Sequence, residues 1–128
     1  MRAVTILLFE HEPVISLDLK MELGLLGCTV FQVQHVSEIA EICHQHLPDL
    51  ALINFRQDQL SDGMSLARTL RVHFQMKVLL VTGARPGDLA SAPDFYAGQE
   101  VLYKPFSRIQ LRKTLIKLFR QPPTFSLP

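Results

Sequence analysis

The chain has 128 residues, of which 48% are hydrophobic and 20% charged, enough for one buried core and too apolar for a disordered segment. Lys and Arg number 13 against 12 Asp and Glu, a formal charge of +1, without the basic excess of a nucleic-acid binder that relies on phosphate contacts. Cys28 and Cys43 make no disulfide framework and no apolar run suits a signal peptide or a membrane span, so one soluble cytoplasmic domain is expected.

Residues 3–9 are β-branched and continuously apolar, the pattern of a strand covered on both faces. Residues 13–26 follow with helical spacing of Ile15, Leu19, Met21, Leu23 and Leu26, and Gly27 stops that helix. A second strand is expected over 29–33. A helix over 36–46 then rests on Ile39, Ala40 and Cys43 and ends before Pro48. The third strand is placed at 50–53, the third helix at 64–74 with Leu66, Ala67 and Leu70 together, and the fourth strand at 78–81. Residues 85–98 are the weak link, because Pro93 falls where a fourth helix should run; that helix is expected to be short or broken. A fifth strand at 101–103 precedes Ser107-x-x-Gln110, a capping box that opens the last helix with Leu111, Leu115, Leu118 and Phe119. The domain is thus placed at 1–120, and 121–128, with Pro122, Pro123 and Pro128, reads as a loose tail or the start of a linker.

Strands alternating with helices imply right-handed crossovers and a doubly wound α/β fold with a parallel sheet. Ligands in such folds sit beyond the carboxyl ends of the strands. Those ends carry Glu10-His11-Glu12, Asn54, Thr82-Gly83 and Lys104-Pro105. His35, His44 and His46 have no metal-ligand spacing, and the last two suit the negative end of a helix. Arg108, Arg112, Lys113, Lys117 and Arg120 make the last helix basic, either as a docking face or as a solvated one.

Four motifs, each at a predicted strand end, resemble the receiver domain of bacterial response regulators. They are Leu8-Phe9-Glu10-His11-Glu12-Pro13, Pro48-Asp49-Leu50-Ala51-Leu52-Ile53-Asn54, Val81-Thr82-Gly83 and Tyr103-Lys104-Pro105-Phe106, and the likeness covers about residues 4–119. It implies the flavodoxin-like, CheY-like (βα)5 fold, a five-stranded sheet in the order 2-1-3-4-5. It further implies phosphorelay signalling in a two-component system. In that family an Asp after the third strand takes a phosphoryl group from a histidine kinase. An acidic pair after the first strand holds Mg²⁺, and a Thr or Ser and a Lys after the fourth and fifth strands contact the phosphoryl oxygens. Thr82 and Lys104 match those last two positions.

Two departures follow from the residues. The acceptor position is Asn54, whose neutral carboxamide has no anionic oxygen with which to attack phosphorus. The acidic pair is Glu10-His11, which replaces one hard oxygen ligand, so Mg²⁺ binding is expected to be weak or absent and no other cofactor is implied. A third departure concerns the loop after the acceptor: Asp58 stands where receivers carry Pro, and Gly63 lies nine residues beyond Asn54 where eight is usual. A one-residue insertion there is expected to reshape the pocket rim.

The expectation is a degenerate receiver that signals by protein–protein interaction without aspartyl phosphorylation and is not an enzyme. Its partner would be a histidine kinase, a phosphotransfer protein or another regulator. The face built from the fourth helix, fifth strand and fifth helix would serve docking or a homodimer. Two alternatives stay open: an unconventional phosphoacceptor such as His11, and a pocket that senses a small molecule or metal. Thr82 and Lys104 have a plainer reading too, as packing elements of an inherited fold, with the lysine pairing Glu10 or the Asn54 oxygen.

Overall fold

The computed structural model describes residues 3–10, 12, 14, 17–92 and 95–119. Five strands, β1 (Thr5–Phe9), β2 (Thr29–Val33), β3 (Leu50–Phe55), β4 (Lys77–Thr82) and β5 (Glu100–Tyr103), alternate with five α-helices. These are α1 (Leu17–Leu25), α2 (Ile39–His46), α3 (Leu60–His73), α4 (Pro86–Ala90) and α5 (Arg108–Leu118). All strand pairs are parallel and the sheet order is β2-β1-β3-β4-β5. The doubly wound topology expected from the sequence is therefore present.

Alternation along the strands builds two cores. Ile6, Leu8, Leu50, Leu52, Leu79 and Val81 face α1 and α5, where Leu23, Leu111 and Leu115 meet them. Leu7, Ala51, Ile53, Val78 and Leu80 face the opposite way, against Ile39 of α2, Leu70 of α3 and Leu89 of α4. A strand buried on both faces needs apolar residues at every position, hence the unbroken runs in the sequence. Gly27 ends α1 as expected: its φ of 87° is the left-handed conformation that favours glycine at a helix C-terminus. The Ser107 capping box also forms, Ser107 Oγ accepting from Gln110 N at 3.1 Å and Gln110 Oε1 from Ser107 N at 2.8 Å.

Several boundaries differ from the sequence reading. The first apolar stripe is split: Leu19, Leu23 and Leu26 are buried, whereas Met21, two residues from Leu19, lies on the far side of α1 and is exposed. Ile39 points inward in α2, with Ile42 and Cys43 packed beside it, but Ala40 is exposed. Helix α3 begins four residues before the expected Met64, directly after a 3₁₀ turn at Gln57–Gln59. Gly63, expected in a loop, is thus inside the first turn of α3. A Cβ there would lie 2.9 Å from the Phe55 ring, so glycine lets helix and strand meet. Helix α4 is short, five residues; Pro93, which was to interrupt it, lies outside the described residues, as do Arg120 and the tail at 121–128.

Candidate functional site

Strands β1, β3, β4 and β5 bring Glu10, Asn54, Thr82 and Lys104 to one edge of the sheet. Asn54 and Thr82 are the penultimate and last residues of their strands, not the first loop residues beyond them. That accounts for the burial of Asn54 and Thr82, at 5% and 0% exposure; Glu10, the first residue beyond β1, is also buried, at 6%. His11 lies outside the described residues.

The period of two sorts these residues. Asn54 and Lys104 follow the parity of Leu52 and Leu102, on the α1/α5 side of the sheet, and both line one cleft of about 710 Å³. Thr82 has the other parity. Its hydroxyl accepts from Ala84 N at 3.1 Å and so ties down the turn after β4. The structure therefore joins Asn54 with Lys104, while Thr82 keeps to its own turn and does not line that cleft.

Each polar group has a distinct electrostatic setting. Glu10 Oε1 accepts from Glu12 N at 3.0 Å. Partial burial pulls the Lys104 ammonium below the usual lysine pKa, and the Glu10 charge opposes that shift. The expected pairing of Lys104 with Glu10 thus exists as an attraction through space, with no hydrogen bond from the ammonium among the described residues. Asn54 Oδ1 is buried without a hydrogen-bond partner among the described residues. An unsatisfied buried acceptor costs about 1–3 kcal/mol, which makes Asn54 an expensive residue to keep at this position. The Lys104–Pro105 peptide is cis.

At the outer rim, Arg56 donates to Glu12 Oε1 at 2.7 Å and to Asp58 Oδ1 at 3.2 Å. These exposed pairs add little stability, but they place a guanidinium beside two rim carboxylates. Across the cleft, Arg108 Nε donates to Glu22 Oε2, and Nη2 to Glu22 Oε1 at 3.2 Å. That hydrogen bond holds the Glu22 carboxyl below the usual glutamate range and raises the Arg108 pKa.

A Mg²⁺ ion needs hard, mostly anionic oxygens. The described residues offer the Glu10 carboxylate, already bonded to Glu12 N, and a neutral amide, with Lys104 alongside. Those donors do not fit the ion well.

The basic helix reads differently in three dimensions. Arg108 is neutralised by Glu22, and Lys117 donates to Glu100 Oε1 at 3.3 Å, so its charge is not a single free face. His46 stacks on Phe31, ring centroids 3.9 Å apart, and among the described residues no group of three or more His, Cys, Asp or Glu side chains could hold a metal. Sequence reasoning missed the α1 side of the cleft, Asp18, Met21, Glu22 and Leu25. Spacing gave one signal: Leu17, Met21 and Leu25 recur every four residues as a second apolar stripe, with exposures of 52%, 58% and 54%.

Solved structures superpose on this architecture over nearly its whole length. A response regulator receiver protein from Sinorhizobium medicae is 28% identical, with a TM-score of 0.72 over 91% of this chain and 94% of that one. The fold is that of a response-regulator receiver domain. A response regulator from Thermotoga maritima gives a TM-score of 0.75 at 20% identity, covering 91% of this chain and 98% of its own. A CheY-like receiver domain from Methylobacillus flagellatus gives 0.71 at 21% identity, covering 92% and 100%. At those identities the last two speak for the fold alone. No family model and no curated protein matches the sequence. Among the described residues no helix is long and apolar enough to cross a membrane.

Proposed function

We propose that this chain is a receiver-type signalling module of a two-component system that works without aspartyl phosphate, by binding a protein partner. The observation that carries this reading is Asn54. It stands at the end of β3, in one cleft with Lys104, where the receiver likeness would place the phosphoacceptor, and its carboxamide supplies no anionic nucleophile. The poor fit of the described donors to Mg²⁺ points the same way, since phosphoryl transfer depends on metal charge to offset the phosphoryl oxygens. Thr82, bonded to Ala84, serves the β4–α4 turn in this reading, and among the described residues no nucleophile–base–orienter set supports an enzyme.

A receiver without a phosphoryl group needs another source of bias between its conformations, and only a ligand with unequal affinity for them can supply it. A histidine kinase, a phosphotransfer protein or another regulator would fill that role by occupancy. The test is intact-mass spectrometry after incubation with acetyl phosphate and Mg²⁺. The unmodified mass is expected. A phosphoryl adduct overturns the proposal, and its mapping to His11 would make the chain a relay component with an altered acceptor.

A further inference from the structure

The end of the sheet opposite Asn54 carries a groove of about 390 Å³ between the last turn of α2 and the turn that leads from α3 into β4. Cys43, Leu47, Pro48, Phe74 and Met76 line it, and His44 is the one polar side chain among its lining residues. No Lys, Arg, Asp or Glu lines it. Leu47 is 75% exposed and Phe74 36%, so the groove opens apolar surface to solvent. Leu47 also holds a left-handed backbone, φ 47°, at the end of α2, a conformation that glycine or asparagine takes more easily.

Two observations point to what covers this groove. The first is where α5 delivers the chain. Helix α5 runs to Leu118, and the Phe119 ring centroid lies 5.6 Å from Lys77 Nζ, at the start of β4. Met76, which lines the groove, is the residue before Lys77. Phe119 packs on the α1/α5 core and Met76 on the opposite one, so the chain after Phe119 has only to round the start of β4. The six residues from Phe119 to Phe125 span about 19 Å in polyproline II form, against about 10 Å between packed layers.

The second observation is chemical complementarity. The stretch Gln121-Pro122-Pro123-Thr124-Phe125-Ser126-Leu127 carries no charge and two large apolar side chains, as a groove without charged lining requires. Paired prolines favour an extended form with little entropy left to lose, the form that docks on apolar grooves with aromatic walls. Phe74 and His44 supply those rings here. The tether gives the stretch an effective concentration on the order of millimolar, ahead of any free competitor of like chemistry.

We propose that residues 121–127 dock in this groove of their own chain, with Phe125 and Leu127 covering Leu47 and Phe74. The segment after α5 would then close the α2–β3 and α3–β4 turns at the end of the sheet remote from Asn54. The inference does not depend on how Asn54 is read.

Cys43 reports on the groove, because it is a free, half-buried thiol in its wall; Cys28 is also free and does not line it. Iodoacetamide alkylation of the full chain, read by peptide mass spectrometry, gives the two rates separately. The tail variant Phe125→Ser with Leu127→Ser should speed Cys43 by about threefold or more, the change when a groove filled about two-thirds of the time is emptied. Cys28 should keep its rate. Leu47→Asn tests the groove side: asparagine eases the left-handed backbone, so the chain should melt no lower, yet Cys43 should again react faster. Combined with the tail variant it should add nothing, since both changes empty one groove. An unchanged Cys43 rate in the tail variant overturns the proposal. Additive acceleration does so too, as does equal acceleration of both thiols, which would report lost stability instead of an uncovered groove. Protection of Cys43 that grows with protein concentration overturns docking within one chain and gives the groove to the segment of a second copy.

Discussion

Replacing Asn54 by Leu tests whether the wild-type chain carries a real energetic defect at its strand end. Leucine has the same branching as asparagine, and the adjacent cleft gives its slightly larger methyls room. What changes is Oδ1, buried and without a partner among the described residues. Removing an unsatisfied buried acceptor should recover about 1–3 kcal/mol. Little is lost in return, because the side chain is 5% exposed and has almost no hydration to forfeit. Asn54→Leu should therefore unfold at higher urea with an unchanged slope, and melt several degrees higher at on the order of 3–5 °C per kcal/mol. Asn54→Ala separates the terms, since it removes the same polar group but opens a small cavity; its stability should fall between wild type and Asn54→Leu. A loss of more than about 1 kcal/mol in Asn54→Leu would refute the reasoning: the amide would then have a partner in solution, and its retention would be structural. A gain would mean that stability is sacrificed at a site kept for another reason, the usual mark of a functional position.

Three further outcomes are expected. Gly63→Ala should destabilise by about 1–3 kcal/mol through overpacking against Phe55, where the same change in an open helix would stabilise by about 0.5–1 kcal/mol; equilibrium urea unfolding decides the sign. The Glu22 carboxyl should titrate below the usual glutamate value by NMR and return to it in Arg108→Ala. Because its folded pKa is depressed, its contribution to stability is present at neutral pH and lost as pH falls through that lowered value. Cys28, whose thiol pKa is pushed up to about 11 by burial and then by the Asp49 charge, should be alkylated far more slowly at pH 8 than a free thiol. Comparable rates would contradict its burial.

The order of elements was legible because a doubly covered parallel sheet requires unbroken apolar strands, and helices between them follow a different period. What the sequence hid is what depends on partners distant along the chain. Strand β3 runs on through Asn54 and Phe55 because they pair with Val81 and Thr82 of β4. The start of α3 was hidden by its polar residues, Ser61 and Asp62, whose helical state is set by the packing of Gly63 on Phe55. Glu22 and Arg108 stand 86 residues apart, and neither carries a local sign that it would meet the other. Met21 shows the opposite failure. It fits an apolar pattern, yet α1 is apolar on two sides, and hydrophobicity alone does not say which side the sheet takes.

A rebuilt acceptor site tests the proposal that this chain works without phosphoryl chemistry. Asn54→Asp puts a carboxylate at a position 5% exposed, on the same sheet edge as Glu10 at 6% exposure. Two buried like charges raise each other's pKa and oppose ionisation. Lys104 compensates in part, its charge already attracted by Glu10. A divalent cation compensates better, and His11→Asp would add a further hard ligand from the position that the receiver likeness assigns to the acidic pair. Asn54→Asp should thus lose stability at neutral pH, and the double variant should recover some as Mg²⁺ rises, by the logarithm of its saturation. Thermal melts across a Mg²⁺ series measure this, with Ca²⁺ as a test of selectivity and wild type as the flat reference. If the double variant also ignores Mg²⁺, restoring carboxylates is not enough. The early start of α3 and the Arg56 pairs with Glu12 and Asp58 would then be the elements that hold the rim in a shape no longer suited to a metal ion.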